Sequence, residues 1–588
     1  MKNLLIRLLA VVGGLVIVFG VLMIIVLMLV AGGKKSVPSK AVLELDLEGG
    51  VLEYVPDDPI GNIVTKSKPR TRDIVEALDK AGNDGRVSGL IARIGAGQMG
   101  WAQAQEIRDA VKRFRDKKKF AIAFSETFGE VSAGNGGYYL ATAFDEIWLQ
   151  PSGDVNLTGV RMESLFLKNT FTKLDIRVRG DHRYEYKNAF NMFVEDKYTG
   201  PHREAMQAIA NSWYRQLSRG ISEGRGIAEP EVQKLIDGGP YIGQQAVDAK
   251  LVNGLAYRDE VYDKVKKRAG EDSKLLFAGK YLERAGRPHE SGDTIALIHG
   301  VGGVTRGKSE YDPLGGSVTM GSDSVAAALR AAIEDKSVKA IIFRVDSPGG
   351  SYVASDTIWR ETVRARQKGK PVIVTMGNLA GSGGYFVAMA ADKIVAQPGT
   401  ITGSIGVLGL KLLTRGGWNK LGVTWDAVQN GNHAAIYSSL QDYSPEEWAK
   451  FQSWLDRVYA DFTGKVADGR KLPKERVLEI AKGRIWSGED AKAIGLVDEL
   501  GGYETAIRLA KEAAKIPADK EINLREFPRK RTTFESLMAD EPENSDQRYV
   551  EALVRSVQML APIVEKIKML DPAARGSLAM PVDAEQTK

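Results

Sequence analysis

The chain repeats itself, and that repeat limits its architecture more than any other feature. The stretch G-N-G-G-Y-Y-L-A-T-A-F-D-E-I-W-L-Q-P-S-G, from Gly134, runs beside G-S-G-G-Y-F-V-A-M-A-A-D-K-I-V-A-Q-P-G-T, from Gly381, at a constant offset of 247 residues. Tyr138 pairs with Tyr385, Asp145 with Asp392, Pro151 with Pro398 and Gly159 with Gly406. Upstream the offset is 251, pairing Arg93 with Arg344 and Lys119 with Lys370. Identity at fixed separation over such a distance marks tandem duplication of one fold, giving two large domains rather than a solenoid. Each copy alternates strand and helix patterns. In the first half these are Ala41 to Leu47, Thr71 to Ala81, Ser88 to Ile94, Gln103 to Arg115, Phe120 to Phe124 and Gly137 to Ala143. The series restarts at Thr294, with Lys339 to Val345 and Val372 to Thr375 as central strands. Such alternation predicts an α/β fold with parallel pairing.

The boundaries follow. Residues 1–7 precede an apolar segment, 8–33, that carries no charge and is long enough to span a bilayer as a helix. Lys2, Arg7 and the terminal amine give a weak bias for the N-terminus inside. The first domain is expected over 41–261, a charged linker over 262–293, the second domain over 294–517, and a polar tail over 518–588 with an amphipathic helix from Tyr549 to Leu570. Long amphipathic helices are expected from Pro201 to Ser222 and from Pro445 to Val466. The chain has no cysteine, which excludes thiol catalysis, disulfides and Cys-ligated metals. A net charge of +6 over 588 residues, with no basic block interleaved with aromatics, argues against nucleic acid as a partner.

The two halves differ in a telling place. Ser382 sits among Gly381, Gly383 and Gly384, where the strand run Pro371 to Met376 gives way to a helix. Small neighbours leave its hydroxyl accessible, a geometry that suits a nucleophile but equally a capping serine in a Gly-rich turn. In the first half the matching residue is Asn135, which is no hydroxyl nucleophile. A second loop, Asp346-Ser347-Pro348-Gly349-Gly350, follows another strand, and its paired glycines let backbone N–H groups face a developing oxyanion. The first half has Gly95-Ala96-Gly97-Gln98-Met99 instead. A third small loop, Ile401-Thr402-Gly403-Ser404-Ile405-Gly406-Val407, comes after the serine.

These three pieces, in this order, resemble the signal peptide peptidase (SppA, protease IV) family in its long tandem-domain form, within the Clp-protease and crotonase-like folds. The resemblance covers roughly residues 40 to 515. It implies that Ser382 is the nucleophile, with backbone N–H groups at Gly349, Gly350 and Gly383 holding the oxyanion. It also implies one N-terminal anchor, a catalytic body on the extracytoplasmic side of a bacterial inner membrane, and hydrophobic peptides such as released signal peptides as substrates. The assembly expected is a homo-oligomer, with a tetramer in view, and no cofactor or metal is implied. Serine needs a base. His433, 51 residues after Ser382, is one candidate, and His182 lies in the matching stretch of the first half. The family places a lysine after an aromatic, which here points to Lys187, 52 residues beyond Asn135. The second-half counterpart falls near Ala434, where no lysine occurs between Lys420 and Lys450. On that reading one half keeps the serine and the other the lysine. Tyr184, Tyr186, Phe190 and Phe193 are the groups expected to desolvate Lys187 and lower its pKa. By resemblance Ser404 orients Lys187; alternatively its hydroxyl only stabilises the turn. Rival readings are a crotonase-like acyl-CoA enzyme and a non-catalytic envelope scaffold.

Overall fold

A computed structural model describes residues 35–54, 68–95, 97, 99–312 and 317–528. Two mainly parallel sheets organise it, one per half. In the first, the order is 254–255, 146–149, 120–125, 87–93, 41–46, 274–277, all parallel. In the second it is 485–487, 401–403, 372–381, 338–347, 293–301, 522–526, with 393–396 also on 372–381 and 499–500 beyond it. The pair 401–403 with 485–487 is antiparallel. Central strands such as Val87–Arg93 and Val338–Ser347 are near-continuous apolar runs because helices cover both faces of a parallel sheet.

The repeat is visible in matched hydrogen bonds. Tyr138 Oη donates to the Leu251 carbonyl at 2.7 Å, and Tyr385 Oη to the Leu496 carbonyl at 2.9 Å. Asp145 accepts from Arg115 and from the Ala121 N–H; Asp392 accepts from Arg366 and from the Val372 N–H. Both aspartates therefore tie a helix to the start of a central strand. Each long helix also runs further than its sequence pattern, over Gly200–Arg225 and Pro445–Arg470, each starting with a serine or threonine cap followed by proline within the first turn.

The expected linker and tail boundaries change. Of residues 262–293, Lys274–Phe277 is a strand paired with Ala41–Glu44, and Ala278–Ala285 is a helix with Tyr281 and Leu282 buried. Likewise Ile522–Glu526 in the expected tail pairs with Asp293–Leu297 as the edge strand of the second sheet. Both are short edge strands with only one or two residues buried, so their polar faces read as linker. The apolar segment 8–33 and the expected helix from Tyr549 to Leu570 lie outside the described residues. Among the described residues no helix is long and apolar enough to cross a membrane.

The halves share a boundary of mixed apolar and hydrogen-bonded contacts. Ile401 and Ile485 of the second half pack into the core of the first. The turn Gln397-Pro398-Gly399-Thr400 seats on the first half, with Trp213 Nε1 donating to the Gly399 carbonyl at 3.0 Å and Gln105 Oε1 accepting the Gly399 N–H at 2.7 Å. Apart from this boundary, the strand Arg177–His182 of the first half pairs antiparallel with Leu408–Leu413 of the second. That cross-half ribbon delivers the next residues of the first half to the second.

Candidate active site

Strand Val372–Gly381 ends at Ser382, which caps the short helix Gly383–Ala388. Ser382 has φ +53° and ψ −116°, a conformation L residues rarely adopt and one that aims the side chain off the strand-to-helix corner. Its N–H donates to the Gly403 carbonyl at 2.9 Å and its carbonyl accepts from Phe386 N–H at 2.9 Å, so the strained corner is pinned on both sides.

Lys187 follows the cross-half ribbon directly. Its Nζ lies 3.1 Å from Ser382 Oγ, 2.9 Å from Ser404 Oγ and 2.8 Å from the Ser404 carbonyl. The lysine is 4% exposed, and among the described residues no carboxylate forms an ion pair with it. Burial without a counter-charge lowers its pKa to about 7. A neutral amine is an acceptor as well as a donor, so Nζ can take the proton of the serine hydroxyl near neutral pH.

Each of the four aromatics expected to desolvate Lys187 has a partner of its own. Tyr184 packs on Tyr459, Tyr186 Oη donates to Glu204, Phe190 lies against His182, and Phe193 stacks on Phe171. The lysine itself lies across two glycines of the other half. A Cβ on Gly483 would sit 2.6 Å from Lys187 N, and one on Gly406 would sit 3.2 Å from Lys187 Cδ. Sequence reasoning missed Gly483, which has no marked neighbour pattern; Gly406 was visible through its repeat at Gly159. Ser404 also has a positive φ, +51°, and its N–H donates to the Arg484 carbonyl at 2.8 Å, fixing both of its oxygens toward Nζ.

The Gly-Gly loop reaches the same place. Gly349 (φ +97°) lies so close that a Cβ there would stand 2.8 Å from Ser382 Cβ and 2.6 Å from Gly383 N. Only glycine fits. Its own N–H, however, donates to Ser347 Oγ at 3.1 Å, and Ser347 Oγ donates onward to the Gly302 carbonyl at 2.7 Å. Of the three expected oxyanion donors, Gly349 is thus committed to its turn. Gly350 and Gly383 remain: a Cβ on Gly383 would lie 3.0 Å from Gly350 N, so the two amides neighbour each other beside Ser382. Gly383 is the first helical residue, whose N–H has no intrahelical acceptor.

The histidines have other surroundings. His433 Nε2 lies 3.4 Å from Glu446, His182 Nδ1 faces the Tyr184 carbonyl, His202 is buried against Phe166 and Tyr198, and His299 stacks on Tyr54. His289 lines a cleft with Arg72 and Glu526. Among the described residues, none of the five hydrogen-bonds to Ser382. Hydroxyl, buried amine and paired amides together form an arrangement competent for acyl transfer.

Comparison with known proteins agrees with that chemistry. The profile of Peptidase family S49 matches residues 113–272 and 364–517, one match in each half. "Protease 4" of Salmonella typhi is 33% identical over 531 residues, covering 88% of this chain and 81% of that protein. "Protease 4" of Haemophilus influenzae is 30% identical over 520 residues, covering 84% and 83%. "Serine protease SPPA, chloroplastic" of Arabidopsis thaliana is 31% identical over 472 residues, covering 79% and 68%. The chain belongs to peptidase family S49, as a serine protease of the Protease 4 type.

Proposed function

We propose that this protein is a Ser-Lys endopeptidase held at the bacterial inner membrane by residues 8–33, with its body on the extracytoplasmic side, and that it cleaves hydrophobic peptides such as released signal peptides. The observation that carries the dyad is the 3.1 Å approach of Lys187 Nζ to Ser382 Oγ, with burial holding the amine at a pKa of about 7. Ser382 Oγ attacks the scissile carbonyl carbon while Lys187 takes its proton. The oxyanion forms against the N–H groups of Gly350 and Gly383. The C–N bond then breaks as Lys187 returns the proton to the leaving amine, and a water, deprotonated by the same amine, releases the acyl group. Ser404 holds Nζ on line. Each half is taken as a copy of the Clp-protease/crotonase-like fold, a reading supported by the mainly parallel sheet in each and, in the second, by the Gly-Gly loop and the serine corner at its strand ends. The test is a serine-directed covalent probe on the full chain in detergent, followed by mapping of the adduct. Labelling at Ser382 that disappears in Lys187→Ala is expected; labelling elsewhere with Ser382 unmodified refutes the assignment.

The same reading includes a homo-oligomer, a tetramer being the expected size, and a comparison of matched residues supports it. Phe190 of the first half lies against His182 and is 8% exposed, whereas its counterpart Tyr437 is 88% exposed. Val428 and Leu421 nearby are also bare, at 103% and 74%. A second copy of the chain packed on this arm covers that surface. Since Lys187 and Ser382 meet within one chain, mixing Lys187→Ala with Ser382→Ala chains is expected to restore no activity. Recovery in the mixture would assign the pair to two chains.

A further inference from the structure

Residues that touch neither substrate nor Lys187 also join the two halves, and one of them stands at the root of the oxyanion loop. Arg344 is on strand Val338–Ser347, two residues before Asp346 and five before Gly349, and it is fully buried. Its guanidinium divides three ways. Nε donates to Glu53 at 2.6 Å, Nη2 to Glu106 at 2.8 Å, and Nη1 to Thr375 Oγ1 at 3.1 Å. Glu53 and Glu106 belong to the first half. Thr375 belongs to the strand that ends at Ser382. Every carboxylate oxygen is committed: Glu53 also accepts from Thr71 and Gln103, and Glu106 from the Tyr503 N–H at 2.6 Å. Burial works against the charge on Arg344, and the facing Glu106 and Glu53 more than offset it, raising its pKa above the ordinary arginine value.

The strand pair beneath the site is irregular where this matters. Arg344 pairs in register with Thr375, the ladder then shifts between Val345 and Ser347, and it resumes with Ser347 opposite Ala380. Asp346 fills the break, its Oδ1 accepting the Leu379 N–H at 2.9 Å. The oxyanion strand and the nucleophile strand are therefore cross-tied twice, by Arg344 to Thr375 and by Asp346 to Leu379. The first tie depends on a charge whose only ion-pair partners among the described residues come from the other half. The repeat supplies the contrast: Arg93, at the position matching Arg344, pairs with Asp46 and Glu48 of its own half. In the half without a serine, the same arginine spans no boundary.

We infer that Arg344 is a positioning residue for the proteolytic reaction, setting the spacing of the Gly349-Gly350 loop and the Ser382 strand once Glu53 and Glu106 of the first half engage it. The first half then contributes the base and also the register of the oxyanion donors. This rests on the Ser-Lys reading above. A planar fork is required, because a lysine supplies charge at one point and cannot reach three acceptors in fixed directions.

The experiment uses the full chain with two variants, Arg344→Lys and the near-isosteric Thr375→Val. Three quantities are measured per folded molecule: kcat and KM on an apolar peptide, the pH midpoint of kcat/KM, and inhibition by a peptide aldehyde, whose tetrahedral adduct puts an oxyanion in the hole. For Arg344→Lys we expect kcat to fall about tenfold or more, and aldehyde affinity to fall in parallel, the scale of one displaced oxyanion donor being roughly 10²-fold. KM and the pH midpoint should stay near wild type, because the Lys187 seat is built from other loops. Thr375→Val should show the same pattern at about threefold, since it removes one neutral acceptor. A role confined to stability would lower the melting temperature and leave all three quantities unchanged, which overturns the inference. If Arg344→Lys does not fold, Thr375→Val decides. If Ser382→Ala retains activity, the Ser-Lys reading has failed; if Ser382→Ala is inactive while both variants match wild type, only the role of Arg344 has.

Discussion

The turn at Asn135 and the turn at Ser382 descend from one sequence and now do opposite things. Asn135 is buried and stitched to the loop beside it: its Nδ2 donates to the Gly159 carbonyl at 2.8 Å and its Oδ1 accepts the Thr158 N–H at 3.1 Å. Leu157, matching Ser404, is fully buried. An amide and an apolar side chain thus close the first-half turn against itself. In the second half a hydroxyl stands at the position of the amide and Ser404 at that of the leucine, and Lys187 Nζ of the other half contacts both. The difference teaches that the first-half turn is closed by its own side chains, whereas the polar group that meets Ser382 comes from the other half.

The comparison breaks most sharply at the nucleophile. Ser382→Ala is expected to lower peptide cleavage by about 10³-fold or more, whereas Asn135→Ala should leave cleavage within about twofold and cost only ~1–3 kcal/mol of stability through the two lost hydrogen bonds. Steady-state kinetics beside thermal melts check both; comparable losses at the two turns would end the asymmetry. Lys187→Ala should lose nearly as much as Ser382→Ala, because members of one catalytic unit are non-additive. An inactive His433→Ala with an active Lys187→Ala would reverse the assignment of the base.

The pH profile sharpens the same contrast. Lys187 accepts a proton only when neutral, so kcat/KM should rise with pH through about 7. Burial pushes the Asp346 carboxyl up to about 7 as well, so Asp346→Asn is the control: the midpoint persists in it if Lys187 sets the profile. The stability sign is separate. With a folded pKa near 7 and an unfolded value of about 10.4, the unfolded chain holds the extra proton between those limits, so stability rises with pH across that window and is lowest below it. Lys187→Met should therefore stabilise the fold at pH 6 by a few kcal/mol while abolishing activity, at about 1.4 kcal/mol per pKa unit.

Smaller effects probe the seat. Gly483→Ala places a methyl 2.6 Å from Lys187 N at a residue with φ +81°, and a roughly tenfold loss of kcat is expected from displacement of the amine. Ser404→Ala removes one of the three groups around Nζ and leaves the Ser404 carbonyl, so a loss of about threefold to tenfold is expected, with little change in melting temperature. A larger effect of Ser404→Ala than of Gly483→Ala would mean that the hydroxyl, rather than packing, holds the lysine.

Much of this was legible in the sequence, and the limit has a physical cause. Fixed-offset identity established two copies of one α/β unit, because residues such as Tyr138 and Tyr385 make the same bond within each half. Strand and helix periodicity located the elements to within a few residues, since parallel strands and amphipathic helices carry their burial in their own pattern. The difference between Asn135 and Ser382 was visible by alignment of the halves. Pattern did not reveal the short edge strands at Lys274–Phe277 and Ile522–Glu526, whose backbone pairing needs few buried side chains. Everything that depends on contact between distant segments was decided by the tertiary structure. Lys187 and Ser382 are 195 residues apart, and no local rule relates them. Nor could spacing tell that Gly406 and Gly483 of the other half pack against Lys187, or that Arg344 reaches carboxylates 291 and 238 positions away. A sequence records what each segment prefers; desolvation and charge pairing depend on which segments the fold brings within a few ångströms.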